Sequence, residues 1–208
     1  MVQPQQSATY LVSFTAGGLL HEETISLSSY YNDDKIESIS EQIINNSLMK
    51  TNSQASRQRM IQEIKKRYLV VGEKFYGNFD QFTIVEQKLV IFYSCMKTYK
   101  ILFDFMLDVI IEKWLSMDLE VDIDDVERFL DKKSNVQNDI DGWSSQTRRK
   151  IITVLIRMLN EVGMLENNKL VQIEAPDEFW RMFVANNDSW FLEAGLLSKE
   201  QREKIING

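Results

Sequence analysis

Trp143-Ser-Ser-Gln-Thr-Arg-Arg-Lys-Ile-Ile-Thr-Val-Leu-Ile-Arg-Met-Leu-Asn-Glu-Val-Gly-Met-Leu-Glu-Asn-Asn-Lys-Leu-Val-Gln-Ile-Glu-Ala-Pro176 is the stretch that decides the fold. Ile151, Leu155, Met158, Leu159 and Val162 recur at helical spacing and form one apolar stripe over about 145–162. Arg149, Lys150, Thr153 and Arg157 lie away from that stripe. Ser144 or Ser145 can accept a backbone N–H at the helix start. Gly163 fits the position just past the helix, where a positive φ is needed. Met164-Leu165 and Leu170-Val171-Gln172-Ile173 can then pair across Asn167-Asn168, a dipeptide suited to a type I′ turn. A helix, a glycine stop and a small hairpin follow one another in the order of a winged helix-turn-helix.

The start of this helix carries three consecutive cations, Arg148, Arg149 and Lys150. Cations at a helix N-terminus oppose the helix dipole, at about a few tenths of a kcal/mol each. A bound polyanion would compensate. In a helix-turn-helix the first residues of the second helix enter the major groove, where Arg pairs with guanine. Ser, Thr and backbone N–H groups hold phosphates. The candidate DNA contacts are therefore Ser144, Ser145, Thr147, Arg148, Arg149 and Lys150, with Lys169 near the wing tip reaching an adjacent phosphate. The alternative is a winged domain used only to bind protein, since the fold alone does not fix the function.

Upstream, the same organisation recurs. Tyr10 to Phe14 is a short β-prone run, and a helix is expected from about Leu20 to Tyr31. Asn32-Asp33-Asp34 breaks the chain before a helix with Ile36, Ile39, Ile43 and either Ile44 or Leu48 on one face. After the turn at Thr51-Asn52-Ser53, a helix over about 54–71 carries Arg57, Ile61, Ile64, Tyr68 and Val71 in one stripe. Its start, Ser53-Gln-Ala-Ser-Arg-Gln-Arg59, repeats the hydroxyl-plus-arginine pattern. Ser53, Ser56, Arg57 and Arg59 form a second candidate contact, against the plainer reading of a solvated charged face. Gly72 to Asp80 reads as a loop with a rudimentary wing.

Four segments follow from this pattern: a helix-turn-helix-like N-terminal unit over 10–78, a helical core over 79–117, the winged unit over 118–176 and short helices over 177–208. The core comprises helices at about 81–94 and 96–116. The fold class is mainly α. Residues 1–9 are polar and expected to fray, and 134–142 reads as a polar turn. The acidic stretch 118–131 has an apolar face in Val126, Phe129 and Leu130 and reads as a short helix capped by Asp122 or Asp124. Its carboxylates repel phosphate, so it either points away from a duplex or binds a basic partner.

Composition narrows the function class. A chain of 208 residues holds one large domain or two small ones. The net charge is −7, so any contact with nucleic acid must come from local patches. A single cysteine, Cys95, excludes an internal disulfide and fits a reducing cytoplasm. No leader peptide is read at the N-terminus. The apolar run Leu89–Trp114 is interrupted by Lys97, Lys100, Asp104 and Asp108, which reads as a buried core helix rather than a membrane span. A cytoplasmic protein with no membrane association is expected.

Catalytic and metal chemistry find little footing. His21, in His-Glu-Glu-Thr-Ile, lacks the second histidine of a zincin helix. Cys95 sits in an apolar helix, where a thiol is inert. No Gly-Lys-Ser/Thr follows Gly17-Gly18, so it is not a phosphate loop and reads as a tight helix entry. Asp118, Glu120, Asp122 and Asp124 alternate like calcium ligands, but Ile123 and Phe129 occupy the positions of the required glycine and bidentate glutamate. No catalytic residue, metal ligand set or cofactor is expected.

The chain resembles the BrxA family of BREX bacteriophage-exclusion systems. The resemblance rests on Tyr10, Thr15-Ala-Gly-Gly-Leu-Leu20, Glu23, Asn46-Ser-Leu48, Ser53-Gln-Ala-Ser-Arg57, Asp104-Phe-Met106, Trp143-Ser-Ser-Gln-Thr147 and Leu159-Asn-Glu-Val-Gly-Met-Leu165, in that order over about residues 10–180. It implies a mostly helical, non-catalytic protein with winged-helix elements that binds double-stranded DNA. It also implies a role in phage defence beside other BREX components, including a DNA methyltransferase. The competing class is a scaffold that docks other BREX subunits through the winged fold and the acidic helix. RNA binding would differ in favouring single strands or A-form helices.

Overall fold

The apolar run Leu89–Trp114 is not one helix, because Tyr99 takes up extended angles (φ −118°, ψ 102°) in its middle. At Tyr99 the chain also passes from one structural unit, Leu11–Tyr99, to a second, Lys100–Gly208 with Tyr10. The division therefore falls inside the segment 79–117. The computed structural model describes residues 10–135 and 138–208. The polar stretch 1–9 and positions 136 and 137 of the expected turn lie outside the described residues. Both units are mainly helical, and among the described residues the regular strands form a single two-stranded antiparallel sheet. No described helix is long and apolar enough to cross a membrane.

The first unit contains α1 (His21–Ser26), α2 (Gln42–Asn45), α3 (Gln54–Val71), α4 (Glu73–Tyr76) and α5 (Ile84–Thr98). α3 starts at Ser53, whose side chain accepts the Ser56 N–H, and stops at Gly72 with φ 75°. Its buried face, Ile61, Ile64 and Tyr68, packs on α5, which is buried almost continuously from Leu89 to Met96. Arg67 is also buried on α3 and donates to the carbonyls of Gly18 (2.8 Å) and Leu19 (2.7 Å). It thereby pins the turn Thr15–Leu20. A Cβ at position 17 would stand 2.1 Å from Leu20 Cδ2, so the buried Leu20 side chain would have to move to admit one.

Several local expectations fail in this unit. The run Tyr10–Phe14, whose type the sequence leaves open, leads into a 3-10 turn, Ser13–Ala16. The helix expected to reach Tyr31 ends at Ser26 and is followed by the 3-10 turn Ser28–Tyr30. Ile36–Glu41 is 3-10, so its period of about three residues puts Ile36 and Ile39 on one buried face. Ile44 and Leu48 are exposed. Residues 72–80 hold no strand and hence no wing. Phe75, Tyr76 and Phe79 instead fold inward on α4 and the 3-10 turn Phe79–Gln81, with ring centroids 4.9 Å from Tyr76 to Tyr31 and 4.8 Å from Phe75 to Tyr93.

The second unit contains α6 (Lys100–Phe105), a π-helical segment (Met106–Ile111), α7 (Glu112–Leu115), α8 (Ile123–Ser134), α9 (Asn138–Asp141) and α10 (Ser145–Val162). The hairpin β1 (Leu165–Glu166) and β2 (Lys169–Leu170) follows, then α11 (Asp177–Val184), α12 (Trp190–Ala194) and α13 (Lys199–Asn207). Asp122, not Asp124, caps α8, in a reciprocal box with Asp125. The hairpin turns at Asn167 (φ 50°) and Asn168 (φ 63°), the left-handed pair that a type I′ turn demands. Leu165 faces Leu170, and Glu166 faces Lys169. Leu119–Val121 lies along the other edge of β2, through Leu170 N–H to Leu119 O and Val121 N–H to Asn168 O, both 2.8 Å. α8 packs against α10, and the aromatic rings of Trp180, Phe183 and Phe191 fill the space under α11 and α12.

A charged cluster fastens α6 to α8. Asp104 accepts bonds from Tyr10 Oη, Lys100 Nζ (2.6 Å) and Lys133 Nζ (3.1 Å), and Lys133 also meets Asp108 (2.9 Å). Burial alone would raise the Asp104 pKa, but the bonds from Lys100 and Tyr10 and the charge of Lys133 outweigh it and hold the carboxyl below its ordinary range. A depressed folded pKa means that this cluster stabilises the fold fully above the unfolded value of about 4 and loses that effect as pH falls through the folded value. Asp104→Asn is expected to lower the melting temperature at pH 7. The gap to wild type should narrow below about pH 4, in thermal melts across a pH series.

Candidate nucleic-acid interface

α10 is positioned by the side it buries. Ile151, Ile152, Val154, Leu155, Met158, Leu159 and Val162 all face inward. With 3.6 residues per turn, that leaves Gln146, Arg149, Lys150, Thr153, Arg157 and Asn160 exposed along the opposite side. The helix opens at Ser144, whose Oγ accepts the Thr147 N–H (3.1 Å) and lies 2.9 Å from Thr147 Oγ1. It ends at Gly163 with φ 89°. The cap is thus Ser144, leaving Ser145 as an exposed first-turn hydroxyl.

The three cations at this start are not equivalent. Arg148 is half-buried and forms an ion pair with Asp131 of α8. Arg149 and Lys150 are exposed and meet no carboxylate among the described residues. Glu127 and Asp131 of α8 share a shallow depression with Ser145, Arg148 and Arg149. The acidic helix therefore does not point away from the candidate contact; its carboxylates border it. Further along α10, Arg157 pairs with Glu161 (3.3 Å) and Thr153 Oγ1 donates to Arg149 O (2.9 Å). Sequence spacing places Thr153 and Arg157 off the apolar stripe, and that same spacing puts them on the Arg149 face and makes them part of the site. Gln146 and Asn160 join them for the same reason.

Lys169 is exposed beside the hairpin turn, with acidic residues on the neighbouring strands. Glu166 stands opposite it across the strands, and Glu120 bridges it from the other edge. No carboxylate forms an ion pair with it among the described residues, and the hairpin also offers amide groups at Asn167 and Asn168.

The second candidate group, at the start of α3, belongs to the other unit. Ser53 caps the helix and Ser56 supplies the capped N–H (3.4 Å). Arg57 is buried, and its guanidinium is consumed by backbone carbonyls: Ile43 O takes Nε (3.1 Å) and Nη2 (2.9 Å), while Thr51 O (2.9 Å) and Asn52 O (2.6 Å) take Nη1. This corrects its expected role. Arg57 ties the loop before α3 to the end of α2 and presents no free donor fork. Arg59 remains exposed on α3.

His21 Nε2 lies 3.1 Å from Gln87 Oε1, and Cys95 is buried in α5. Among the described residues, no three His, Cys, Asp or Glu side chains are grouped to hold a metal ion.

The BrxA family model matches residues 8–187. A curated relative, BREX protein BrxA of Bacillus cereus (strain H3081.97), is 24% identical over 131 residues, or 63% of this chain. The match spans 66% of that protein, just under two thirds of its length. A crystal structure of an uncharacterized protein from Magnetospirillum magneticum has the same fold, with a TM-score of 0.71 over 89% of this chain and 97% of that one at 18% identity.

The geometry of Arg57 separates folding from binding. Arg57→Ala is expected to lower unfolding stability by about 3 kcal/mol, since charged donors are removed and buried carbonyls are stranded. Arg57→Lys should restore little of it, because one ammonium cannot span the same carbonyls. Arg59→Ala should leave stability within about 0.5 kcal/mol. Chemical denaturation of the three variants measures this directly.

Proposed function

The chain belongs to the BrxA family, and from that premise we propose that it is a non-catalytic double-stranded DNA-binding protein acting in BREX phage defence. The observation that carries the reading is the exposed face of α10, where Gln146, Arg149, Lys150, Thr153 and Arg157 stand in a row and Arg149 and Lys150 form no ion pair among the described residues. A duplex binds such a face through phosphate neutralisation and major-groove contacts.

In this reading Leu119–Leu170 is a winged helix-turn-helix. α8 is its first helix, α9 lies in the turn, α10 is the recognition helix and the β1–β2 hairpin is the wing. Three features support the assignment. α8 packs on α10, β2 is flanked by β1 on one side and Leu119–Val121 on the other, and the hairpin follows α10 directly. Ser144 holds the first turn, Ser145 and Thr147 offer hydroxyls to a phosphate, and Arg149 and Lys150 make the charged contacts. Arg148 acts at one remove, with Asp131 as its fixed partner. Arg59, with the hydroxyls of Ser53 and Ser56, is a second point of contact in the other unit. The BREX label of the Bacillus relative supports partners among other BREX proteins.

Removing one cation from a phosphate should flatten the plot of log K against log salt by about 0.9. Arg149→Ala/Lys150→Ala is therefore expected to weaken duplex binding roughly tenfold or more at low salt and to reduce the salt slope by about 2, in fluorescence anisotropy with labelled duplex. Wild-type binding that does not change with salt, or a double variant that binds as wild type does, would contradict the reading.

A further inference from the structure

The link between α7 and α8 exposes more apolar surface than packing accounts for. Leu115 is 64% exposed, Met117 77% and Ile123 58%. Met117 also holds a left-handed φ of 60°, a conformation that side chains other than glycine, asparagine or aspartate enter only at a cost. Lys113 bonds both Asp118 (2.6 Å) and Asp125 (3.4 Å), which keeps the Met117 turn near the start of α8. Beside Ile123 lies an apolar notch whose walls include Val121, Ile156 and Asn168. Large exposed apolar side chains gathered in one short segment mark contact surfaces.

The charge around them is in acidic excess, although Lys113 and Lys169 lie beside it. Asp118, Glu120, Asp122 and Asp124 are all exposed in the same segment. The capping role of Asp122, the Lys113 pair of Asp118 and the place of Glu120 beside Lys169 account for three of them, but nothing within the chain accounts for the bare Met117 and Ile123. Phosphate backbones and anionic bilayers are repelled by such a rim. Charge complementarity selects a cationic protein segment with aliphatic side chains.

We propose that the Leu115–Asp124 face receives a basic amphipathic helix of a partner protein, its aliphatic side chains resting on Met117 and Ile123 and its Lys or Arg residues meeting Asp118, Glu120, Asp122 and Asp124. Flexible, polarizable methionine suits a surface that accommodates an inserted helix. The docking face borders α10 and the hairpin through Ile156 and Asn168, but its test involves no duplex, so it does not rest on DNA binding.

The test uses the full chain and a labelled synthetic Leu/Lys amphipathic peptide of about five turns, roughly 18 residues. Leu/Gln and Leu/Glu peptides with the same apolar face serve as counterparts. The Leu/Lys peptide is expected to bind at micromolar concentration and its counterparts roughly tenfold or more weakly. Met117→Asn/Ile123→Ser should weaken the Leu/Lys peptide by a similar factor with an unchanged melting temperature, because asparagine tolerates the left-handed φ and both sites are exposed. Asp118→Asn/Asp124→Asn should weaken it and flatten its salt dependence. Absence of binding, equal binding of the Leu/Glu peptide, or variants that bind as wild type does would each overturn the proposal. A wild-type dimer in sedimentation that Ile123→Ser dissolves would overturn it in favour of a second copy of this chain.

Discussion

The buried face of α10 is the constraint from which the rest of the second unit follows. Seven apolar side chains between Ile151 and Val162 must be removed from water, and each contributes roughly 1.5–3 kcal/mol when fully buried. Helical geometry then leaves no freedom over the other side: Arg149, Lys150, Thr153 and Arg157 have to face outward. The burial that folds the unit also arranges its polar row. Ser144 and Gly163 only set where the row begins and ends.

Within that row, neighbours decide which charges are available. The chain carries an excess of acid, and the acid is placed locally. Asp131 takes Arg148, Glu161 takes Arg157, and Glu120 and Glu166 flank Lys169. What remains is a narrow cationic site rather than a broad basic surface. On the proposed function, this arrangement limits non-specific attraction to phosphate and leaves recognition to a few side chains, so the acidic helix beside the site is part of how the site discriminates.

Legibility in the sequence tracks how local each cause is. α3 and α10 are readable almost to the residue because cap hydroxyl, apolar stripe and terminal glycine all lie within the segment itself, and the Asn167-Asn168 turn is readable for the same reason. The 3-10 turns at Ser28–Tyr30 and Ile36–Glu41 and the π-helical segment depend on packing between distant residues, which periodicity does not report. Phe75, Tyr76 and Phe79 draw residues 72–80 inward where turn residues alone suggest a wing. Arg57 is instructive, since its place in the apolar stripe of α3 signals burial, while its position after a hydroxyl suggests a ligand contact. Burial wins because carbonyls of Ile43, Thr51 and Asn52 surround it. The pairing of Arg148 with Asp131, 17 residues away, has no local signature.

The most direct test of α10 as the DNA-contacting element is site-directed photo-cross-linking. A photoreactive side chain at Thr153, in the middle of the exposed row, and another at the exposed Asn187 would be irradiated with a labelled duplex. The account predicts covalent DNA adducts from position 153 and none from position 187, with the adducts competed away by unlabelled duplex. Adducts absent at 153, or equally abundant at both positions, would contradict it.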